Sequence, residues 1–202
     1  MIKKNIVIFD FDKTLSAGDA PVEFGKYCFR HSLRPWLFLP IIAAGFVVKF
    51  IACEDKKYRV RKIDILWRQM TRRFTGSAMI KKFIPGFVAE HKMNRFGWAK
   101  EQVEKERSSG NFVILSSATP DYIVLPLVSD IEFDLIITSE MDKKRPWKYK
   151  FLNWGYNKAI ALERIVAGRK VVRAYSDNIS DSPMMNLARE KVWIDPKTGC
   201  RI

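Results

Sequence analysis

The chain is expected to fold as an α/β protein, a parallel sheet with helices on both faces. Three observations lead there. Short apolar runs recur, Ile6-Val7-Ile8-Phe9, Phe112-Val113-Ile114-Leu115, Leu135-Ile136-Ile137 and Val171-Val172-Arg173-Ala174-Tyr175, each of a length suited to a buried strand. Amphipathic stretches separate the later ones, and such alternation builds a parallel sheet because parallel neighbours need crossover connections. One basic and aromatic interval, 15–86, interrupts the pattern directly after the first strand and reads as an insertion overhanging that strand's end.

The elements follow in order. Pro85-Gly86 punctuates the end of the insertion. A long helix is expected from Phe87 to Arg107, closed by the Ser108-Ser109-Gly110-Asn111 turn. The second strand, Phe112 to Leu115, gives out at Ser116-Ser117-Ala118-Thr119-Pro120. A helix through Tyr122 to Val128 and a strand at 135–137 come next. Asn157 to Ala167 reads as a helix with Gly168 as its C-terminal cap. The strand Val171 to Tyr175 ends at Ser176-Asp177, and a helix from Ser182 to Arg189 precedes a last strand, Val192 to Ile194. A catalytic core of 1–14 and 87–202, with 15–86 as a separate helical unit, is the expected organisation.

At 202 residues, 48% hydrophobic and 29% charged, the chain has room for one α/β domain plus an insertion. The formal charge of +14 is the outlier, and it is unevenly placed: Pro21 to Gly86 holds 14 Lys and Arg against 4 Asp and Glu. That imbalance points to a negatively charged partner, whether anionic lipid, nucleic acid or a phosphorylated substrate. Cys28, Cys53 and Cys200 are odd in number and share no metal-ligand spacing, which argues against a disulfide framework or zinc site. His31 and His91 are too far apart to suggest a metal cluster. Lys3-Lys4 precedes only a brief apolar run, so no signal peptide is expected and the chain reads as facing the cytoplasm.

Four polar signals fall at the carboxyl edge of this expected sheet, the edge where open α/β sheets bind ligands. They are Asp10 with Asp12, Ser117 past the end of the second strand, Lys158 at a helix start, and Asp177 with Asp181. Two carboxylates two residues apart at a strand end are costly unless a cation or a shared proton compensates.

In these motifs the chain resembles the haloacid dehalogenase superfamily of phosphatases, in its phosphoserine-phosphatase-like branch. Asp10-Phe11-Asp12-Lys13-Thr14 matches the first motif, Ser117 of SSATP the second, Lys158 of GYNKAIALER the third, and SDNISD, Asp177 to Asp181, the fourth. The resemblance implies a Rossmann-like core with a helical C1-type cap over 15–86. It implies a phosphomonoester hydrolase in which Asp10 attacks phosphorus to form an aspartyl-phosphate. Asp12 would protonate the leaving oxygen and then activate water. Mg2+ would sit on Asp10, the main-chain carbonyl of Asp12, and Asp177. Ser117 and Lys158 would contact the phosphoryl group, with Asp181 holding Lys158 or a metal-bound water, and Thr14 shaping the loop.

Trp36 to Cys53 is almost wholly apolar, interrupted by Pro40 and Lys49, and basic residues flank it on both sides. At eighteen residues it falls short of the roughly 20 that cross a bilayer. A segment lying in the cytoplasmic leaflet against an anionic membrane surface satisfies both features; a buried cap helix is the alternative. With the Trp67-containing IDILW segment and the KAIALER helix, it makes the chain similar to the phosphatidylglycerophosphatase C group, which implies a lipid phosphate substrate. A soluble metabolite such as phosphoserine is the alternative. Asp19 suits either a substrate amino group or a glycerol hydroxyl, and Arg68 and Arg72 are candidates for a second phosphate. An inert core serving as a nucleic-acid or membrane-binding module predicts damaged motifs, whereas all four are intact. No nucleic-acid partner and no obligate protein partner are expected.

Overall fold

A computed structural model of the chain describes residues 5–32, 80–142 and 149–202. Six strands form one sheet there: β1 (Asn5–Phe9), β2 (Phe112–Pro120), β3 (Leu135–Met141), β4 (Tyr149–Phe151), β5 (Lys170–Ser176) and β6 (Ala188–Trp193). Their order is β4-β3-β2-β1-β5-β6, all parallel except β4, which runs antiparallel to β3 at the edge. The chain builds outward from β1 through β2 and β3, then returns to β1's other side to lay down β5 and β6. β1 is therefore the switch point of the sheet, and the crevice beyond its carboxyl end is where this architecture leaves room for a ligand.

The period-2 alternation of β1 assigns its side chains to two cores. Val7 and Phe9 face a cluster with Phe24, Phe87, Val103, Leu115 and Leu127. Ile6 and Ile8 face another with Ile114, Leu162, Met184 and Met185. The first is covered by α1 (Ala20–His31), α2 (80–91), α3 (Ala99–Ser108) and α4 (Asp121–Leu127). The second is covered by α5 (Tyr156–Val166) and α6 (Ser182–Met185). Phe9 stacks on Tyr175 of β5 with ring centroids 4.3 Å apart, close to parallel at 9°.

The described helices on either side of residues 33–79 pack together on the first core. Phe24 of α1 meets Phe87 of α2 edge-on at 5.2 Å, and Tyr27 meets Phe83 and Phe87 at 6.2 and 5.9 Å. Trp36–Cys53, Arg68 and Arg72 lie outside the described residues; among those described, no helix is long and apolar enough to cross a membrane.

Several element bounds differ from the sequence reading, each for a visible reason. The helix expected over 87–107 is two. α2 is already helical at residue 80 and passes through Pro85-Gly86, because packing against Tyr27 outweighs local breaker propensity. A 3₁₀ turn, Lys92–Asn94, and an extended link then separate α2 from α3. That link turns away from helix because its backbone pairs with the loop after β1: Ala17 N donates to Asn94 O at 2.9 Å and Phe96 N to Leu15 O at 3.0 Å. β2 continues four residues beyond Ser116 to Pro120, where it pairs with Ser139 of β3. The helix after Ser182 stops at Met185, and β6 takes over at Ala188. Gly168, expected to close α5, has a left-handed φ of 74° just past its end.

Gly86 is the position where the α1–α2 contact admits no side chain, since an added Cβ would overlap Tyr27 Oη. Gly86→Ala should lower the thermal midpoint, because overpacking of roughly 1–3 kcal/mol outweighs the helix-propensity gain of about 1 kcal/mol. Tyr27→Phe in the same chain should recover most of the loss, and calorimetry of the wild type and the two variants checks it.

Candidate active site

The site is built where β1, β2 and β5 end. Asp10 leaves β1 with its N–H donating to Tyr175 O at 3.0 Å, so the backbone is still held by β5 as the side chain enters the crevice. The chain then folds back sharply: the N–H groups of Thr14, Leu15 and Ser16 all lie 2.9–3.2 Å from Phe11 O. Lys13 takes a φ of 58°, the only non-glycine in the left-handed region among the described residues. Such a conformation costs about 1–2 kcal/mol for an L-residue.

Lys158 lies in the first turn of α5 and is only 2% exposed. Its Nζ donates to Asp10 Oδ1 at 2.6 Å and to Asp181 Oδ2 at 2.8 Å. Ser176 Oγ donates to the same Asp181 oxygen at 2.8 Å, fixing that carboxylate from β5. Thr14, fully buried, is the junction between the first and fourth motifs. Its hydroxyl accepts from Asp177 N at 3.1 Å, while its proton is within reach of Asp10 Oδ2 at 3.2 Å and Asp177 Oδ1 at 3.4 Å.

Asp12 is held at both oxygens. Oδ1 accepts from Ala20 N, in the first turn of α1, at 2.6 Å, and Oδ2 accepts a short hydrogen bond from Thr119 Oγ1. Asp19 caps α1, its Oδ1 accepting from Val22 N at 3.2 Å. Asp10, Asp12, Asp19, Lys158, Asp177 and Asp181 thus line one pocket, together with Lys13, Ala118, Trp154, Asn178 and Ser180. Ser117 is fully buried outside that lining, and its Oγ accepts from Thr119 N at 3.0 Å, which leaves its proton to donate.

Three supporting groups carry no distinguishing mark in the sequence. By sequence alone Thr119 is one residue of a polar strand-ending turn. Asn153, fully buried, places its Nδ2 3.1 Å from Ser116 Oγ, Ser117 O and Ile137 O. Ser139 Oγ accepts from Asn153 N at 3.0 Å and donates to Ala118 O at 2.7 Å. Together they fix the backbone of the second motif. Nothing local in the sequence distinguishes Asn153 from a loop asparagine; its partners come from β2 and β3.

Electrostatically the pocket carries a surplus of carboxylates. Burial pushes the Asp10 carboxyl up to about 8 against the pull of Lys158, with Asp181, Asp12 and Asp177 adding to the rise. Burial likewise raises Asp177, opposed by Lys13. For Lys158, burial pulls downward, but Asp10 and Asp181 outweigh it and the ammonium is held above its ordinary range. This donor set fits a hard divalent cation: oxygen ligands, negative charge in excess of the local cations, and two carboxylates bridged by one hydroxyl. No three carboxylate, imidazole or thiolate side chains among the described residues are gathered closely enough to hold an ion by themselves. A set of Asp10, Asp177 and the Asp12 carbonyl, completed by water, needs only two.

The parallel α/β core thus carries a buried Lys–carboxylate centre at the switch point of its sheet. The family model for haloacid dehalogenase-like hydrolases matches residues 7–186, and the chain belongs to that family. No curated protein matches it in sequence. Solved structures share its fold. A phosphoserine phosphatase captured as an analogue of its phospho-aspartyl intermediate superposes with TM-score 0.64 at 17% identity, covering 95% of this chain and 86% of that one. A protein of unknown function from Bordetella pertussis Tohama I gives 0.62 at 15%, covering 97% and 92%. Cytosolic 5'-nucleotidase IIIB bound to cytidine gives 0.61 at 13%, covering 95% and 72%.

Lys158→Met would leave Asp10 and Asp181 buried without their cation, so stability should fall by about 3–5 kcal/mol near neutral pH in urea titrations. In that variant the Asp10 carboxyl, raised by burial and no longer pulled down by Lys158, favours protonation more strongly in the folded than in the unfolded chain. The folded state then binds more protons between an unfolded value of about 4 and the raised folded value. Stability should therefore rise as pH falls through that window; a variant equally unstable at every pH would contradict the geometry.

Proposed function

We propose that the protein is a Mg2+-dependent phosphomonoester hydrolase working through an aspartyl-phosphate on Asp10. The observation that carries this reading is the buried Lys158–Asp10 pair beside a second carboxylate, Asp12, whose two oxygens are both held. Lys158 keeps the nucleophile oriented and offers positive charge to the phosphoryl oxygens. Asp10 attacks phosphorus; the bond to the leaving oxygen breaks as Asp12 gives that oxygen its proton. Asp12, now a carboxylate, takes a proton from water as the water attacks the aspartyl-phosphate, and the Asp10–phosphorus bond breaks. Ser117, buried behind the pocket wall, holds the Thr119 N–H and with it the backbone of the second motif, and Asp181 keeps Lys158 in place. Asp10, Asp177 and the main-chain carbonyl of Asp12 would hold Mg2+, which would supply charge neutralisation between nucleophile and phosphate.

For substrate, a small soluble phosphomonoester such as phosphoserine is favoured. The phosphoserine phosphatase likeness extends over 95% of the chain, and Asp19 in the pocket wall supplies a carboxylate beside the phosphoryl site. A lipid phosphate such as phosphatidylglycerol phosphate, met at the cytoplasmic face of an anionic membrane, is the second reading. It draws on the apolar run 36–53 and the clustered cations of the insertion.

Asp10→Asn should lose p-nitrophenyl phosphate hydrolysis by several orders of magnitude while keeping the wild-type circular dichroism spectrum; retained turnover would refute the nucleophile. Mg2+ at about 100 times its dissociation constant should stabilise the wild type by about 2.7 kcal/mol, and Asp177→Asn should show little of this shift in a thermal melt. Turnover of phosphoserine in solution, with no acceleration on anionic vesicles carrying phosphatidylglycerol phosphate, selects the soluble substrate; the reverse result selects the lipid.

A further inference from the structure

The second carboxylate of the site is constrained from two directions that its own backbone does not supply. The terminal torsion of an aspartate is broad, so backbone and rotamer preference alone leave the plane of the carboxyl group loosely set. Here Ala20 N, one of the unpaired donors at the start of α1, takes Oδ1 of Asp12 at 2.6 Å. Thr119 Oγ1, at the end of β2, donates to Oδ2. Thr119 is fully buried and its own N–H is satisfied by Ser117 Oγ at 3.0 Å, so its hydroxyl comes from a position fixed by the second motif. The sequence separation of 107 between the partners excludes a local turn contact.

We propose that Thr119 is a positioning residue that sets the carboxyl plane of Asp12 for proton transfer to the leaving oxygen, an inference that rests on the phosphoryl-transfer reading above. A carboxyl group offers about four lone-pair sites, so two donors do not block exchange of a proton with substrate. They determine which way it points. When phosphorus passes to Asp10, the bond to the substrate oxygen breaks and the proton on Asp12 moves to that oxygen. The Thr119 hydroxyl remains on the resulting carboxylate, where a charge-assisted hydrogen bond is stronger than a neutral one. Without the hydroxyl the carboxyl turns about its last torsion, and the proton is delivered from a less suitable angle.

The leaving group separates this role from general support of the fold. An alkyl phosphate must release an alkoxide, which needs a proton; p-nitrophenolate departs as an anion. The kcat/KM value covers steps up to release of the alcohol and so reports that transfer. In Mg2+, Thr119→Val should lower kcat/KM for phosphoserine or glycerol 3-phosphate roughly 10- to 100-fold, part of what a positioned acid contributes, and for p-nitrophenyl phosphate by less than about 3-fold. Thr119→Ser, which keeps the hydroxyl, should stay within about 3-fold of wild type on both. If Thr119→Val does not fold, Thr119→Ala takes its place under the same criteria. Equal losses on alkyl and aryl substrates, no loss on either, or failure of serine to rescue the alkyl substrate would overturn the inference while leaving the phosphatase reading intact. A wild-type enzyme inactive on every phosphomonoester, or fully active as Asp10→Asn, would overturn that reading and this inference with it.

Discussion

The structure is organised around one buried cation. Lys158, 2% exposed, is shared between Asp10 and Asp181, and neither carboxylate is accessible enough to be neutralised by water. Burying charge is tolerated only where partners and hydrogen bonds are complete, and removal of one member leaves the others exposed to the full desolvation penalty. Because the three residues leave β1, enter α5 and follow β5, the ion group fixes the relative placement of these elements at the sheet's carboxyl edge. Ser176, from the last position of β5, and Thr14, from the turn after β1, complete the carboxylates' remaining contacts.

The loop from Asp10 to Asp19 is the second determinant of the site, and it is held from both sides. Its inward face meets Asp177 through Thr14; its outward face pairs with the 94–96 link, and Asp12 ties it to the start of α1. The 94–96 link follows α2, and Ala20 opens α1. The aromatic contacts between α1 and α2 therefore bear on the placement of the Asp12 carboxylate as well as on stability, since α1 supplies it with a donor, Ala20 N.

Much of this was legible in the sequence because the chemistry is local there. The apolar runs and their polar exits place Asp10 and Asp177 at strand ends, and the amphipathic pattern after Gly155 places Lys158 at a helix start; Ser117, read as lying past its strand, is inside the longer β2. What the sequence could not show depends on partners distant in the chain. The break between α2 and α3 is set by backbone pairing with residues 15–17, although Asn94 and Gly97 are compatible with it. The passage of α2 through Pro85-Gly86 answers to Tyr27. Thr119 and Asn153 have no local pattern at all; their roles exist only once β2, β3 and the loop before α5 are side by side. The pattern that marks residues 36–53 as apolar speaks to the insertion, which lies mostly beyond the described residues.

Lys13 sits in a left-handed backbone conformation between two aspartates of the site. A glycine there would relieve the steric cost, yet it would also widen the conformations open to the unfolded loop and remove an ammonium from the pocket wall. The residue thus exchanges ease of folding for a loop that is already shaped when a substrate arrives. Such preorganisation shifts the entropy of ordering from each turnover to the single event of chain assembly, where it is met once.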